Sequence, residues 1–141
     1  MIVYFDTSAF VPLLVTESGT SSARELWASA DEVVTTRLLY VEAAAVLARA
    51  RRMDRITDRN HRAALHSLED LWRDFRVTEI DETVIRRAAE LADRHALRGY
   101  DAVHCASAER IADADLVVAS GDKDLLAACT ELALATALTD H

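Results

Sequence analysis

Short apolar runs alternate along this chain with longer segments in which apolar residues recur every three or four positions. An unbroken apolar run predicts a buried strand, and the spacing of three or four predicts an amphipathic helix. The predicted strands are Ile2–Phe5, Val33–Thr35, Arg76–Ile80, Leu116–Ala119 and a weaker one near Leu134. The predicted helices run from about Leu38 to Arg52, Arg59 to Asp74, Glu82 to His95, Asp101 to Ile111 and Lys123 to Cys129.

Two further helices are predicted between the first two strands. Thr7 and Ser8 are expected to cap a short helix that holds Pro12 in its early turns, before Gly19 breaks the chain. The pattern Ser22-Ala23-Arg24-Glu25 is a capping box and predicts that a second helix starts there.

The alternation of strands and helices predicts the fold class. We expect an α/β three-layer sandwich, in which helices joined by right-handed crossovers cover both faces of a mostly parallel central sheet. The 141 residues fit one domain over 1–141 and allow a full core without disulfides. Folds of this class bind ligands beyond the carboxyl ends of the strands, at a switch point in strand order.

Four acids occupy positions where a solvated surface carboxylate would not be expected. Asp6 and Asp122 each follow a predicted strand, so they are expected at the edge of the sheet where ligands bind. Glu42 has apolar neighbours at helical spacing and no basic residue there. Asp101 opens an apolar helix just after Gly99.

Each of these acids has a structural alternative. Aspartate is a favoured helix N-cap, so Asp6, Asp101 and either Asp122 or Asp124 are open to that interpretation. Glu42 lies in mid-helix and has no capping duty. A structural role for it would require a buried partner such as an arginine.

A cluster of four carboxylates needs neutralisation. Two carboxylates about 4 Å apart repel by roughly 4 kcal/mol at an effective dielectric near 20. A divalent cation relieves the whole set, and an all-oxygen site suits Mg²⁺ or Mn²⁺ better than zinc. Softer ligands are not arranged for zinc: Cys105 and Cys129 form no CxxC pattern, and no zinc framework is visible around the histidines His61, His66, His95, His104 and His141.

The charge balance restricts the kinds of partner. Sixteen basic and 24 acidic residues give a net charge of −8, which argues against broad charge-driven binding of nucleic acid. The segment from Arg49 to Arg62 is a local exception, with six arginines against Asp54 and Asp58. It predicts either a contact with backbone phosphates or a partner protein, or simply a solvated helix end.

No membrane anchor is expected. The chain lacks an apolar stretch approaching the roughly 18 residues of a membrane span, and its start has no basic region followed by a long apolar segment. We therefore expect a cytoplasmic protein, with which two cysteines are compatible.

Four motifs in this order resemble the PIN-domain family, and the compact length is similar to that of the ribonuclease toxins of VapBC-type toxin-antitoxin pairs. The motifs span almost the whole chain: Phe5-Asp6-Thr7-Ser8-Ala9, Tyr40-Val41-Glu42, Tyr100-Asp101-Ala102-Val103-His104 and Ser120-Gly121-Asp122-Lys123-Asp124.

The resemblance implies a metal-dependent ribonuclease. Asp6, Glu42, Asp101 and Asp122 would hold Mg²⁺ or Mn²⁺, one ion or two, and Asp124 would join or replace Asp122. Ser8 and Ser120 match polar residues that steady such a site in the family. The implied reaction is hydrolysis of an RNA phosphodiester by a metal-activated water. The implied partners are the RNA substrate, a cognate antitoxin protein and a second copy of the chain in a homodimer.

Two other enzyme or signalling families fit the sequence less well. A signalling receiver domain usually has an acidic pair beside its first strand, whereas the first strand here ends in a lone acid, and a haloacid-dehalogenase phosphatase requires a DxD motif where this chain has Asp6-Thr7-Ser8. A catalytically silent PIN-like module that binds RNA or protein stays open. His104 is expected in the core or at the surface rather than as a supporting group or general acid, and Trp27 and Trp72 in the core or a dimer surface.

Overall fold

Five parallel strands form one sheet in this computed structural model, which describes residues 1–139. The strands are β1 Ile2–Phe5, β2 Glu32–Thr36, β3 Phe75–Thr78, β4 Leu116–Ser120 and β5 Ala135–Leu138. The helices are α1 Thr7–Phe10, α2 Thr20–Ser29, α3 Leu38–Arg52, α4 Asp58–Trp72, α5 Glu82–His95, α6 Gly99–Arg110 and α7 Lys123–Glu131, and a 3₁₀ turn spans Val11–Leu13.

The strand order is β3-β2-β1-β4-β5, and every described pairing is parallel. Tyr4 of β1 therefore lies between Val34 of β2 and Val118 of β4. Strands are added on one side of β1 up to β3 and on its other side from β4 onward, so the switch point lies between β1 and β4. Asp6 and Asp122 follow the carboxyl ends of these two strands, where the sequence placed them.

Alternate residues of each strand point to opposite faces of the sheet, and each face has its own core. Tyr4 belongs to a cluster with apolar residues of α5, α6 and α7. Its neighbours Val3 and Phe5 belong to the other cluster, with residues of α1, α3 and α4. Helices thus cover both faces, which confirms the predicted three-layer α/β architecture.

Aromatic rings fill the second of these clusters. Trp27 of α2 lies 5.4 Å from Phe5 and 5.2 Å from Phe75 between ring centroids, and Trp72 lies 6.0 Å from Phe75. The edge-to-face contacts of Phe75 with both tryptophans are favourable beyond the area that they bury. Both tryptophans are partly buried and pack against this core, in line with one of the two sequence-based interpretations.

The predicted starts of the first two helices were wrong. Asp6, not Thr7 or Ser8, caps α1, because its carboxylate accepts the backbone N–H of Ala9. The helix α2 begins at Thr20, two residues before the expected capping box, and Gly19 is its N-cap. The reason is a tertiary contact, since the buried Thr20 hydroxyl donates to the carbonyl of Pro12 and fixes the chain earlier.

The helices α3 and α4 form a hairpin, joined by residues 53–57. The first turns of α3 pack Leu39 and Ala43 into the second core cluster, whereas Leu47 is buried further along, outside both clusters. The far end of the hairpin therefore extends away from the sheet. Among residues 1–139, no helix is long and apolar enough to cross a bilayer.

Candidate active site

A pocket of about 530 Å³ opens at the switch point between β1 and β4. Its walls come from the turn after β1, the middle of α3, the start of α6 and the turn after β4. Four predicted acids line it together: Asp6, Glu42, Asp101 and Asp122. Residues separated by up to 116 positions in sequence thus meet in one cavity.

Asp6 is the most enclosed of the four acids, with 3% of its surface exposed. It accepts hydrogen bonds from the hydroxyl of Ser120 at 2.6 Å, from that of Ser8 at 2.8 and 3.0 Å, and from the N–H of Ala9 at 2.9 Å. Burial raises the pKa of Asp6, while the positive field of His104 and these hydrogen bonds oppose that rise. The capping and pocket roles coexist in this residue.

Ser8 and Ser120 also tie the two strand ends together. Their hydroxyl oxygens are 3.2 Å apart, Ser8 accepts the N–H of Gly121 at 2.8 Å, and Ser120 accepts that of Asp122 at 2.9 Å. These contacts fix the turn after β4 relative to the turn after β1. Both serines therefore orient the acids of the pocket, the kind of contact that the resemblance led us to expect.

Glu42 has two polar partners rather than an arginine. Its Oε1 accepts from the Thr7 hydroxyl at 2.8 Å and lies 2.7 Å from Nε2 of His104. Burial alone would raise the pKa of Glu42, but the hydrogen bonds and charge of His104, together with Thr7, hold it below its ordinary value. Its carboxylate is therefore ionised at neutral pH.

The ring of His104 links Glu42 to the interior of the sheet. An ionised carboxylate only accepts hydrogen bonds, so Nε2 of His104 carries the proton that it shares with Glu42. Nδ1 of the same ring lies 2.8 Å from the Tyr4 hydroxyl, within hydrogen-bond distance. His104 is 2% exposed. The ring is buried, one of the two expected locations, but it also supports Glu42 in the pocket, a role that the sequence interpretation had ranked lower.

Asp101 lies in the first turn of α6 and is not its N-cap. The helix begins at Gly99 after Arg98, which makes the capping interpretation wrong for this acid. Arg98 is its ion-pair partner, with Nε 3.4 Å from Oδ2 and a guanidinium that is largely in solvent. Burial raises the pKa of Asp101, and the charge of Asp122 adds to the rise. The two acids are thus close enough to repel.

Asp122 caps α7, and its Oδ1 accepts the backbone N–H groups of Asp124 and Leu125 at 2.9 and 3.3 Å. It lines the pocket nevertheless. Asp124 lies in the first turn of α7, is exposed, and is not among the pocket-lining residues. Its role as a ligand stays a prediction.

The four carboxylates of the pocket are the kind of oxygen donors that a hard divalent cation prefers. All four acids offer oxygen, burial raises the pKa of two of them, and Asp101 and Asp122 repel each other. Yet within residues 1–139 no three His, Cys, Asp or Glu side chains are grouped as ligands of one ion. The carboxylates point instead to the hydroxyl, amide, imidazole and guanidinium partners described above. The fit to such an ion is thus one of donor chemistry, carried by the four carboxylates that line the pocket.

Sequence reasoning missed several contributors to the pocket. Thr7 was considered only as a helix cap, although it belongs to one of the four motifs, and Glu17, Arg98 and Tyr100 were not considered as pocket residues. The signal for His104 was its position three residues after Asp101, which places both side chains on one face of a helix. Its pairing with α3 is a tertiary contact. His141 lies outside the described residues.

Comparison with known proteins identifies the family to which the chain is related. A PIN-domain family model matches residues 3–130. Ribonuclease VapC45 of Mycobacterium tuberculosis (strain CDC 1551 / Oshkosh) is 47% identical over 124 residues, which cover 88% of this chain and 86% of that protein.

Solved structures share the fold at lower identity. Mycobacterium tuberculosis VapC20, described as a toxin that cleaves the sarcin-ricin loop, has a TM-score of 0.70 at 24% identity and covers 89% of this chain and 94% of its own. A toxin-antitoxin complex from Klebsiella pneumoniae has a TM-score of 0.59 at 18% identity, with 86% and 88% covered. Since the family model spans most of its length and a curated relative is 47% identical, this chain belongs to the PIN-domain family.

Proposed function

We propose that this protein is a metal-dependent endoribonuclease that hydrolyses RNA phosphodiester bonds and acts as the toxic component of a toxin-antitoxin pair. The observation that carries the proposal is the meeting of four carboxylates from four separate segments in one pocket at the switch point. A relative that covers most of the chain at 47% identity is named a ribonuclease, which supports the same activity.

Asp6, Glu42, Asp101 and Asp122 would hold Mg²⁺ or Mn²⁺, since they are the all-oxygen donor set of the pocket. A bound dication would lower the pKa of water and offset negative charge on the phosphate under attack.

The remaining polar groups keep these acids in place. Ser8 and Ser120 orient Asp6 through three hydrogen bonds, and Thr7 and His104 orient Glu42 through two. Removing groups that hydrogen-bond to a metal ligand commonly lowers metal affinity or activity by about 10- to 100-fold. We therefore assign them a positioning role.

The rim of the pocket offers contacts for the substrate. Arg98 is largely exposed and places a guanidinium beside the acids, where it would meet a phosphate oxygen. Tyr100 is 65% exposed and provides a flat surface on which a base would stack. The acidic floor and this rim together suit a single-stranded RNA segment.

The proposal extends to partners and location. We infer that an antitoxin covers the pocket, since the fold is shared with the toxin-antitoxin complex from Klebsiella pneumoniae and the exposed side chains Val46 and Tyr100 leave apolar surface at the rim. From the family likeness we propose a homodimer and a cytoplasmic location.

The receiver-domain and phosphatase interpretations no longer stand, because the chain belongs to the PIN-domain family. One alternative keeps an observation in its favour. The four acids already have polar partners within residues 1–139, an arrangement that a PIN module binding RNA or protein without cleaving it would also use.

Purified protein incubated with RNA in Mg²⁺, in Mn²⁺ and with EDTA tests the proposal. Cleavage is expected with either ion and is lost with EDTA. Asp6→Asn and Asp101→Asn keep side-chain volume but remove a charged ligand, so each should abolish cleavage and weaken Mn²⁺ binding measured by calorimetry. Asp93→Asn, an exposed change in α5, is the matched control and should cleave normally.

Full cleavage by both pocket variants, or cleavage that EDTA does not affect, would reject the metal-dependent assignment. A folded wild-type protein that binds RNA but leaves it intact under all three conditions would establish the silent binding module instead.

A further inference from the structure

We propose that the end of the α3–α4 hairpin binds the phosphate backbone of the RNA whose cleaved bond lies in the acidic pocket. This inference rests on the proposed function and adds a second contact region for the substrate. The region, called here the arginine tip, consists of six arginines: Arg49, Arg51, Arg52, Arg55, Arg59 and Arg62.

The arginine tip carries charge that the protein does not neutralise. All six side chains are exposed, and none lies within 4 Å of an acidic group in the described part of the chain. Seven other arginines each have such a partner: Arg37, Arg73, Arg76, Arg86, Arg87, Arg98 and Arg110. In a chain of net charge −8, this is a concentration of positive charge without acidic partners within 4 Å, whereas Arg24 and Arg94 are isolated instances elsewhere.

The tip is continuous with the pocket along one face of α3. Glu42, Ala45 and Val46 line the pocket. Positions three, four and seven residues further on share a helix face, so Arg49 lies on the same side and Arg52 follows one turn later. The helix rise of 1.5 Å per residue puts these two positions about 10 and 15 Å from Glu42. At roughly 3.4 Å per phosphate of a stacked strand, that distance spans about three to four phosphates.

The stretch of α3 between the two regions carries no acidic side chain. Glu42 is the only acid in α3, and the path from it to Arg49 crosses Ala45 and Val46, which is 45% exposed. A strand held at the tip by its phosphates would therefore reach the pocket over an uncharged surface. Guanidinium groups suit this task because they bind phosphate oxygens in pairs.

An acidic segment of a partner protein is the competing occupant. The geometry favours RNA, because Arg49 and Arg52 of the tip lie on the same face of α3 that lines the cavity in which the phosphodiester must sit. The two occupants differ in what they predict for an assay that contains only RNA and this protein.

The test uses Arg49→Gln/Arg52→Gln against Arg24→Gln/Arg94→Gln. The control pair also removes two exposed arginines without an acidic group within 4 Å, one in α2 and one in α5. Both double variants should fold, which thermal unfolding checks. The readouts are KM and kcat for cleavage of a 20-nucleotide single-stranded RNA (about twenty phosphates, several times the span above) and the dissociation constant of the same RNA by fluorescence anisotropy in EDTA.

For the tip variant, we expect KM and the dissociation constant to rise about five- to thirtyfold with kcat little changed. The slope of log affinity against log salt should become shallower by about 1.4, because each phosphate that an arginine no longer neutralises reduces the slope by about 0.7. The control variant should match the wild type in all three measurements.

Equal affinity and equal salt slopes in the tip and control variants would overturn the inference, and would assign the arginines to a protein partner or to solvent. The anisotropy measurement needs no cleavage, so it decides the role of the tip even if the wild type proves inactive. An inactive wild type would instead count against the proposed function.

Discussion

Tyr4→Phe tests the hydrogen-bonded connection from the core to the pocket. The tyrosine is fully buried, and its hydroxyl forms a 2.8 Å hydrogen bond with Nδ1 of His104. The substitution removes one oxygen and keeps the ring, which meets the imidazole edge-on at 5.9 Å. His104 would then hold Glu42 with one of its own ring nitrogens unpaired.

The expected loss of unfolding free energy follows from that unpaired nitrogen. A buried polar atom left without its hydrogen bond costs about 1–3 kcal/mol of unfolding free energy. For a chain of this length, 1 kcal/mol lowers Tm by roughly 3–4 °C, so the expected fall is about 3–12 °C. Because the imidazole orients Glu42, cleavage of RNA should also slow by about tenfold.

Urea and thermal unfolding of Tyr4→Phe should be measured beside Tyr40→Phe. The hydroxyl of Tyr40 also donates to a partner, the carboxylate of Glu69, but does so at the surface. Its loss should change stability by less than about 0.5 kcal/mol. Equal effects of the two substitutions would show that the buried hydroxyl does not support His104, and would refute the reasoning.

Two further predictions concern stability alone. Glu109 accepts hydrogen bonds from Arg87 at 2.7 and 2.8 Å, which lowers the pKa of its carboxyl below its ordinary value. The stability that this pair contributes is present above the pKa of the unfolded state and is lost as the pH falls through the pKa of the folded state. Glu109→Gln should therefore destabilise by about 0.5–1 kcal/mol at neutral pH and by progressively less as the pH of the urea titration is lowered into the acid range. An equal loss at neutral and acid pH would contradict this. Ala96 ends α5 at a φ of 54°, in the left-handed region, so Ala96→Gly should raise the unfolding free energy by about 0.5–1 kcal/mol, whereas a lower Tm would argue against strain there.

Local patterns in the sequence predicted the parts of the site that local structure controls. Asp6 and Asp122 were placed because each ends an apolar strand, and strand direction alone brings such ends to one edge of a parallel sheet. Glu42 was identified because an acid in an apolar helical stripe is out of place. The bounds of α3 and α5 were also predicted as they occur, since their periodicity is strong.

Local patterns could not predict the features of the site and fold that depend on contacts between distant elements. The sequence of α3 does not indicate that His104 is the partner of Glu42, because His104 belongs to a different helix, α6. The start of α2 shifted for the same reason, since Thr20 is held by Pro12. Asp101 looked like a cap, but the helix continues back to Gly99, and only the backbone shows this.

The strand order has a consequence for the timing of biosynthesis. The central strand β1 is made first, yet one of its two neighbours, β4, follows it by more than a hundred residues. The cavity needs the turn after β4 as its last wall, so a chain still attached to the ribosome cannot complete it until α7 has left the exit tunnel. Nascent chains that stop before Asp122 therefore lack the full acid set of the pocket.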